Sequence, residues 1–152
     1  MLIREIQPEC RITYSTFLRA STHCPFCGGK EKIIIDSKHA FLTYARSPYH
    51  KHHLLVIPHR HIGQISELSS EEMSDIFSLQ KVAIKVLKNL GYENISLLVR
   101  DGNTKNKSVF HTHFHVIPEV AVGDLDHYHT TRYVMTEEEI AETLRDIQKA
   151  LI

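Results

Sequence analysis

The stretch SVFHTHFHVIP, residues 108–118, decides how this chain is read. It places a histidine at every second position, His111, His113 and His115, in an otherwise apolar and β-branched run. Side chains in a strand alternate between faces, so the three imidazoles share one face and Phe110, Thr112, Phe114 and Val116 the other. Successive rings then stand about 6 to 7 Å apart. Three explanations compete. A solvated strand face that uses histidine by chance sits badly with the apolar flanks and the strict alternation. A metal site built from the row alone fails on geometry, because three ligands in line cannot all reach one ion over bonds of about 2.0–2.1 Å. One of them is a ligand only if others arrive from elsewhere. The third explanation is a nucleophilic imidazole positioned and tuned by its neighbours. With an unperturbed pKa of about 6.5, such a ring offers a neutral nitrogen to an electrophilic phosphorus at neutral pH. A covalent intermediate then divides one hard displacement into two easier ones.

Working outward, EKIIID (31–36) reads as a strand and HAFLTYA (39–45) as its hairpin partner. HHLLVIP (52–58) is continuously apolar, which suits a central strand. NISLLVR (94–100) is a fourth strand, DGNTKNK (101–107) a polar loop, and residues 108–117 the fifth strand. SSEEMSDIFSLQKVAIKVLKNLG (69–91) is a long helix that opens on serine, with Glu71 and Glu72 complementing its dipole. Met73, Ile76, Phe77, Ile84, Leu87 and Leu90 fall mostly on one face, and Gly91 stands at C′. TEEEIAETLRDIQKALI (136–152) is a second amphipathic helix, with a Thr136–Glu139 capping box and Ile140, Leu144, Ile147 and Leu151 on one side. Residues 10–23 suit a short helix, CPFCGGK (24–30) a tight turn, and 119–135 an irregular stretch. Strands in runs, with one long helix between the third and fourth, predict a single α+β domain over 1–152. Its sheet is expected to have about five mainly antiparallel strands, with the long helix packed on it.

The 152 residues are enough for one real core, and 42% apolar with 24% charged residues suits a globular domain. Eighteen basic residues balance eighteen acidic ones, so no cationic excess exists to hold a nucleic-acid polymer by counterion release. A small nucleotide is compatible with this balance. No run approaches the ~20 apolar residues of a membrane span. The start, MLIREIQPEC, has charges where a signal peptide needs an apolar core, so a cytoplasmic location is expected. Three cysteines are too few, and odd in number, for a disulfide framework, whereas twelve histidines stand out.

Cys24 and Cys27 have C-x-x-C spacing, which lets two thiolates converge on one tetrahedral ion. Read alone, CPFC also looks like a glutaredoxin-type redox pair. That chemistry needs a helix starting at the first cysteine to lower its pKa, whereas here GG and a strand follow. Cys10 reads as an ordinary thiol. His50, His52 and His59 read as surface or hairpin residues. His127 and His129 either line a pocket or face solvent.

HTHFHVI (111–117) resembles the H-φ-H-φ-H-φ-φ signature of the histidine triad (HIT) superfamily, with Thr112 a mild departure at the first φ. HLLVIPHRHIGQISEL (53–68) is similar to the family's second block, and the resemblance extends over about 24–118. It implies a HIT-like α+β fold, a homodimer, and nucleotidyl transfer to water from nucleoside 5′-phosphate–X substrates. His113 would be the nucleophile on the α-phosphorus, and His115 would hold the phosphate and orient it. His111 is the first histidine of the triad, Ser108 a donor to phosphate or leaving group, and His53 a buried support. The zinc-bearing branch further implies a structural zinc on Cys24, Cys27, His61 and His111, with His59 the rival for the place of His61. Phosphoramidase activity is the first expectation and dinucleoside polyphosphate hydrolysis the second. A thiol reductase and a non-catalytic nucleotide-binding protein are the alternatives from other classes.

Three departures accompany the resemblance. The position where many members carry an Asp or Asn for the ribose is Ala45, which leaves Arg46 beside it as a candidate contact for phosphate or sugar. The loop before the triad carries Lys105 and Lys107 in place of small and amide residues, which either favours an anionic leaving group or is simply a solvated basic loop. Glu119 follows VIP where arginine is common.

Overall fold

Strands β2 (Ala40–Tyr44) and β3 (Leu54–Pro58) are buried at every residue, as their largely apolar sequences suit strands covered on both faces, and the buried Thr43 hydroxyl donates to the Lys32 carbonyl at 2.9 Å. They lie inside a five-stranded sheet with β1 (Ile35–Asp36), β4 (Ile95–Val99) and β5 (Phe114–Pro118). The order is β1-β2-β3-β5-β4 and every neighbouring pair is antiparallel. The computed structural model describes residues 11–21, 23–29, 31–103, 109–120 and 132–151. Ser108, Lys105, Lys107, His127, His129 and Cys10 lie outside the described residues.

Among the described residues three α-helices accompany the sheet: α1 (Tyr14–Ala20), α2 (Ser70–Asn89) and α3 (Glu137–Ala150). Both long helices begin with the reciprocal capping box, Ser69 with Glu72 and Thr136 with Glu139. Helix α2 ends at Gly91, whose φ of +96° is a backbone state that L side chains rarely adopt. Helix α2 packs Ile76, Leu79, Ala83, Val86 and Leu87 onto Ala40, Leu42, Leu54, Val56, Phe114 and Val116, and α3 adds Ile147 and Ala150 to the same core. The opposite face of the sheet carries a smaller cluster, Phe41, Ala45, Leu55 and Ile57, against which Phe26 packs. The candidate site lies on this second face.

The α+β class, the five antiparallel strands and the covering helix agree with the sequence reading, and four local expectations need correcting. The histidine strand begins at Phe114, not Ser108. Only His115 belongs to the ladder, opposite Leu55 and Leu98, while His111 and His113 precede it in an extended segment tied down by the Thr112 N–H donating to the Ile62 carbonyl at 2.6 Å. The first strand is two residues long: regular pairing starts at Ile35 opposite Leu42, and the preceding Ile34 N–H donates to the same Leu42, at its carbonyl, at 2.8 Å. On α2 the buried stripe runs through Ile76, Leu79, Ala83 and Val86, which leaves Met73 and Phe77 exposed. Packing against the sheet, and not the apolar character of Met73 and Phe77, sets the rotation of the helix. Finally, His52 is buried with φ of +65°. Its Nε2–H donates to Asp146 at 2.7 Å and Nδ1 meets the Tyr92 hydroxyl at 2.6 Å, so it ties the hairpin to α3.

Candidate functional site

The ordering of protons along a row of rings gives this site its character. The Tyr49 backbone N–H donates to His53 Nδ1 at 3.2 Å. A neutral His53 therefore carries its proton on Nε2, which lies 2.9 Å from His115 Nδ1. That bond makes Nδ1 of His115 an acceptor and fixes its own proton on Nε2. Both rings are neutral at physiological pH. His53 is held down at about 3 by burial first, then by the charge of Arg132 and by the competing imidazole of His113. His115 lies well below the usual range, again through burial first and then through His53, His113, Arg100 and Arg132.

His113 is oriented from the other side. Its Nδ1 lies 2.7 Å from the backbone carbonyl of His111. A carbonyl only accepts, so Nδ1 is a protonated nitrogen, and in the neutral ring Nε2 carries the lone pair. The His113 and His115 rings meet at 4.9 Å between centroids, with an interplanar angle of 63°. A lone pair on one ring thus stands beside a proton donor on the next. That is the arrangement needed to attack an electrophile while stabilising charge on it.

Both rings line a cleft together with His53, Ala45, Arg46 and Val109. Phe26 forms part of its wall, 5.2 Å from His113 between ring centroids. Ala45 is buried there and its methyl offers no polar contact. Arg46 reaches the cleft, but Glu31 holds its guanidinium through Nε at 2.6 Å and Nη2 at 3.2 Å. Glu31, a buried carboxylate in a segment read as ordinary strand, was not singled out in the sequence. Tyr14 and Phe17 of α1, Tyr49, Arg100 and Arg132 also line the cleft and were missed. They come from segments far apart in the chain and form no local motif.

The other sequence-predicted group does converge. Cys24, Cys27, His61 and His111 bring one ligand atom each to within 4.8 Å of one another. Cys24 Sγ and Cys27 Sγ both stand 3.4 Å from His111 Nδ1, and Cys27 Sγ is 3.2 Å from His61 Nδ1. A tetrahedral ion with bonds of about 2.3 Å to sulfur and about 2.0–2.1 Å to nitrogen sets such pairs about 3.5 Å apart, so the donor set fits one. Fully buried His111 donates its Nε2–H to the Pro58 carbonyl at 2.8 Å, which leaves Nδ1 as the nitrogen able to coordinate an ion. His59 is elsewhere, with its Nε2 on Asp36 at 2.7 Å. Residues 25–29 form a turn, not a helix, and burial and Cys24 push the Cys27 thiol up; neither favours a reactive redox thiol.

A sheet of this topology, with a chain of histidines on the face opposite its long helix, defines a histidine triad protein. The chain matches the HIT domain family over residues 29–122 and belongs to that family. Over 80 residues it is 44% identical to the adenosine 5′-monophosphoramidase of Schizosaccharomyces pombe, a match covering 53% of this chain and 56% of that protein. Over 95 residues it is 26% identical to the bis(5′-adenosyl)-triphosphatase of Dictyostelium discoideum, covering 62% of this chain and 64% of that one. The chain thus spans less than two thirds of either enzyme. A zinc-bound histidine triad family protein from Mycobacterium smegmatis shares the fold, with a TM-score of 0.65 at 20% identity over 88% of this chain and 94% of the other.

Proposed function

We propose that this protein is a nucleotide hydrolase that cleaves nucleoside 5′-phosphate–X substrates at the α-phosphate, phosphoramidates first among them. The observation that carries this reading is the proton order of the histidine row, with the His113 Nε2 lone pair beside the His115 Nε2–H in one cleft. In the first step Nε2 of His113 forms a bond to the α-phosphorus, the P–X bond breaks, and X leaves with its electron pair and takes up a proton. His115 Nε2–H donates to a phosphoryl oxygen as charge grows on it. In the second step water attacks the nucleotidyl-histidine, the P–N bond breaks, and nucleoside monophosphate leaves with His113 restored. Ser108 is proposed as a donor to the same phosphate, and Lys107 as a charge that favours an anionic leaving group.

The 44% identity to a monophosphoramidase supports the phosphoramidate reading. Dinucleoside polyphosphate hydrolysis is the second reading, favoured by Arg100 and Arg132 in the cleft and by the triphosphatase relative. Cys24, Cys27, His61 and His111 are proposed to hold a structural zinc that leaves the reaction to the cleft and fixes the segment carrying His113. The outer edge of β4 has no strand partner among the described residues and exposes Leu97, which supports pairing of two copies there.

The test is monophosphate release by the wild type and His113→Ala, with adenosine and guanosine phosphoramidates and dinucleoside tri- and tetraphosphates as substrates. Release by the wild type that the variant loses supports the assignment, as does a nucleotidyl adduct on His113 caught by mass spectrometry after rapid quench. Equal release from both proteins removes His113 from the role of nucleophile.

A further inference from the structure

Part of the lining of the cleft comes from chain outside the family-matched residues 29–122. Residues 11–14 and 132–135 run side by side. Thr13 bridges Tyr133 in antiparallel pairing, the Tyr14 N–H donates to the Arg132 carbonyl at 3.0 Å, and the Val134 N–H donates to the Ile12 carbonyl at 2.7 Å. A further bond, from the Met135 N–H to the Arg46 carbonyl at 2.9 Å, ties this pair to the end of β2. The flap so made brings Tyr14, Phe17 and Arg132 into the same cleft as His113 and His115.

Arg132 is held there by rings rather than by a carboxylate. Its guanidinium carbon lies 4.6 Å from the centroid of Tyr14 and 4.5 Å from that of Tyr49. Among the described residues it makes no ion pair, unlike Arg46, whose charge Glu31 already neutralises. Stacking on aromatic faces fixes the plane of a guanidinium while leaving its N–H fork for an anion. The charge is near enough to help lower the pKa of both His53 and His115. A fixed cation at this distance, set in a cleft that also holds a proposed phosphorus-attacking ring, acts on any negative charge the substrate carries there.

We infer that Arg132, clamped between Tyr14 and Tyr49, is a specificity-determining residue that selects substrates whose leaving group X bears a negative charge. This rests on the proposed nucleotide hydrolysis at His113 and narrows its substrate class. Two kinds of X share the required chemistry: the phosphate chain of a dinucleoside polyphosphate, and the carboxylate of an amino acid joined through a phosphoramidate nitrogen. An uncharged amine lacks it.

The experiment compares kcat/KM for three substrates: adenosine phosphoramidate with an uncharged amine, the phosphoramidate of an amino acid, and diadenosine triphosphate. The proteins are the wild type, Arg132→Gln, Arg132→Lys and Tyr14→Leu. A charge-assisted contact predicts that Arg132→Gln lowers the ratio of anionic-X to neutral-X kcat/KM by on the order of 10- to 100-fold. Arg132→Lys is expected to recover part of that ratio through its charge. Tyr14→Leu, which frees the guanidinium on one side, is expected to give a smaller drop. A purely structural role would lower all three substrates together and leave the ratio unchanged, which would overturn the inference even if turnover persists. Loss of only the diadenosine triphosphate arm or only the amino-acid arm identifies which anion Arg132 reads. Wild-type protein inert toward every substrate would sink the underlying hydrolase reading and this inference with it.

Discussion

In the proposed reaction His53 acts through His115 without touching the substrate, and replacing it tests that role. In His53→Leu the bond of 2.9 Å to His115 Nδ1 disappears, and with it the bond of 3.2 Å from the Tyr49 N–H. Nothing then dictates which nitrogen of His115 carries the proton, and the donor facing the phosphate is no longer locked. A buried acceptor left without its partner costs about 1–3 kcal/mol. Carried into the transition state, that corresponds to roughly a 5- to 150-fold loss. The loss should fall in kcat rather than KM, because the donor matters most as charge develops on the phosphoryl oxygens. His53→Gln is the informative partner: its amide N–H can reach the place of the imidazole Nε2–H and donate to His115, so it should recover much of kcat. Steady-state kinetics on an adenosine phosphoramidate give the rates, and nitrogen-15 NMR of labelled histidine reads the His115 tautomer directly. The reasoning fails if His53→Leu keeps both the wild-type kcat and the Nε2–H tautomer, or if Gln and Leu are equally impaired.

Two further outcomes follow from the same geometry. His53, His115 and His52 all have folded pKa values below the unfolded value of about 6.5, so below that pH the unfolded chain binds protons that the fold refuses. Stability should therefore be level above about pH 6.5 and fall as the pH drops below it, His53 alone contributing a loss that approaches roughly 1.4 kcal/mol per pH unit down to its folded value of about 3. Urea titrations across this window should show a slope shallower by about one proton in His53→Leu, and identical slopes would contradict the assignment. The four-ligand group predicts about one zinc per chain in purified protein. Cys27→Ser should lower Tm by roughly 5–10 °C and reduce turnover as well; protein that purifies without zinc, and a Cys27→Ser variant with unchanged Tm, would refute the metal site.

Much of this arrangement is legible in the sequence, because it depends on local rules. Ser69 with Glu72 and Thr136 with Glu139 announce the helix starts by a three-residue spacing, and both boxes form. The run LLVIP announces a strand buried on both faces. Cys24 and Cys27 announce a candidate ligand pair by spacing, and family resemblance supplied His61 and His111, 34 and 84 residues beyond Cys27, as the partners with which it converges. What stayed hidden depends on pairs with no fixed spacing. Alternation along 108–118 fits a strand, yet the ladder begins only where β3 and β4 supply partners, at Phe114. The face of α2 is chosen by the sheet beneath it, so Phe77 remains 60% exposed despite its apolar ring. His52 looks like one histidine among several until Asp146, 94 residues away, gives it a reason to be buried. Arg132 and Tyr14 meet only because two chain segments flanking the family core pair with each other.

His111 meets the four-ligand group through its ring and His113 through its main chain. These two duties respond differently to mutagenesis. An alanine at position 111 deletes the nitrogen proposed to coordinate but keeps a carbonyl, since every residue has one. Lost turnover in such a variant would therefore report a scaffold that has shifted, and would say nothing about an imidazole taking part in the reaction. The first histidine of the row can be indispensable in every alanine scan and still never meet the substrate.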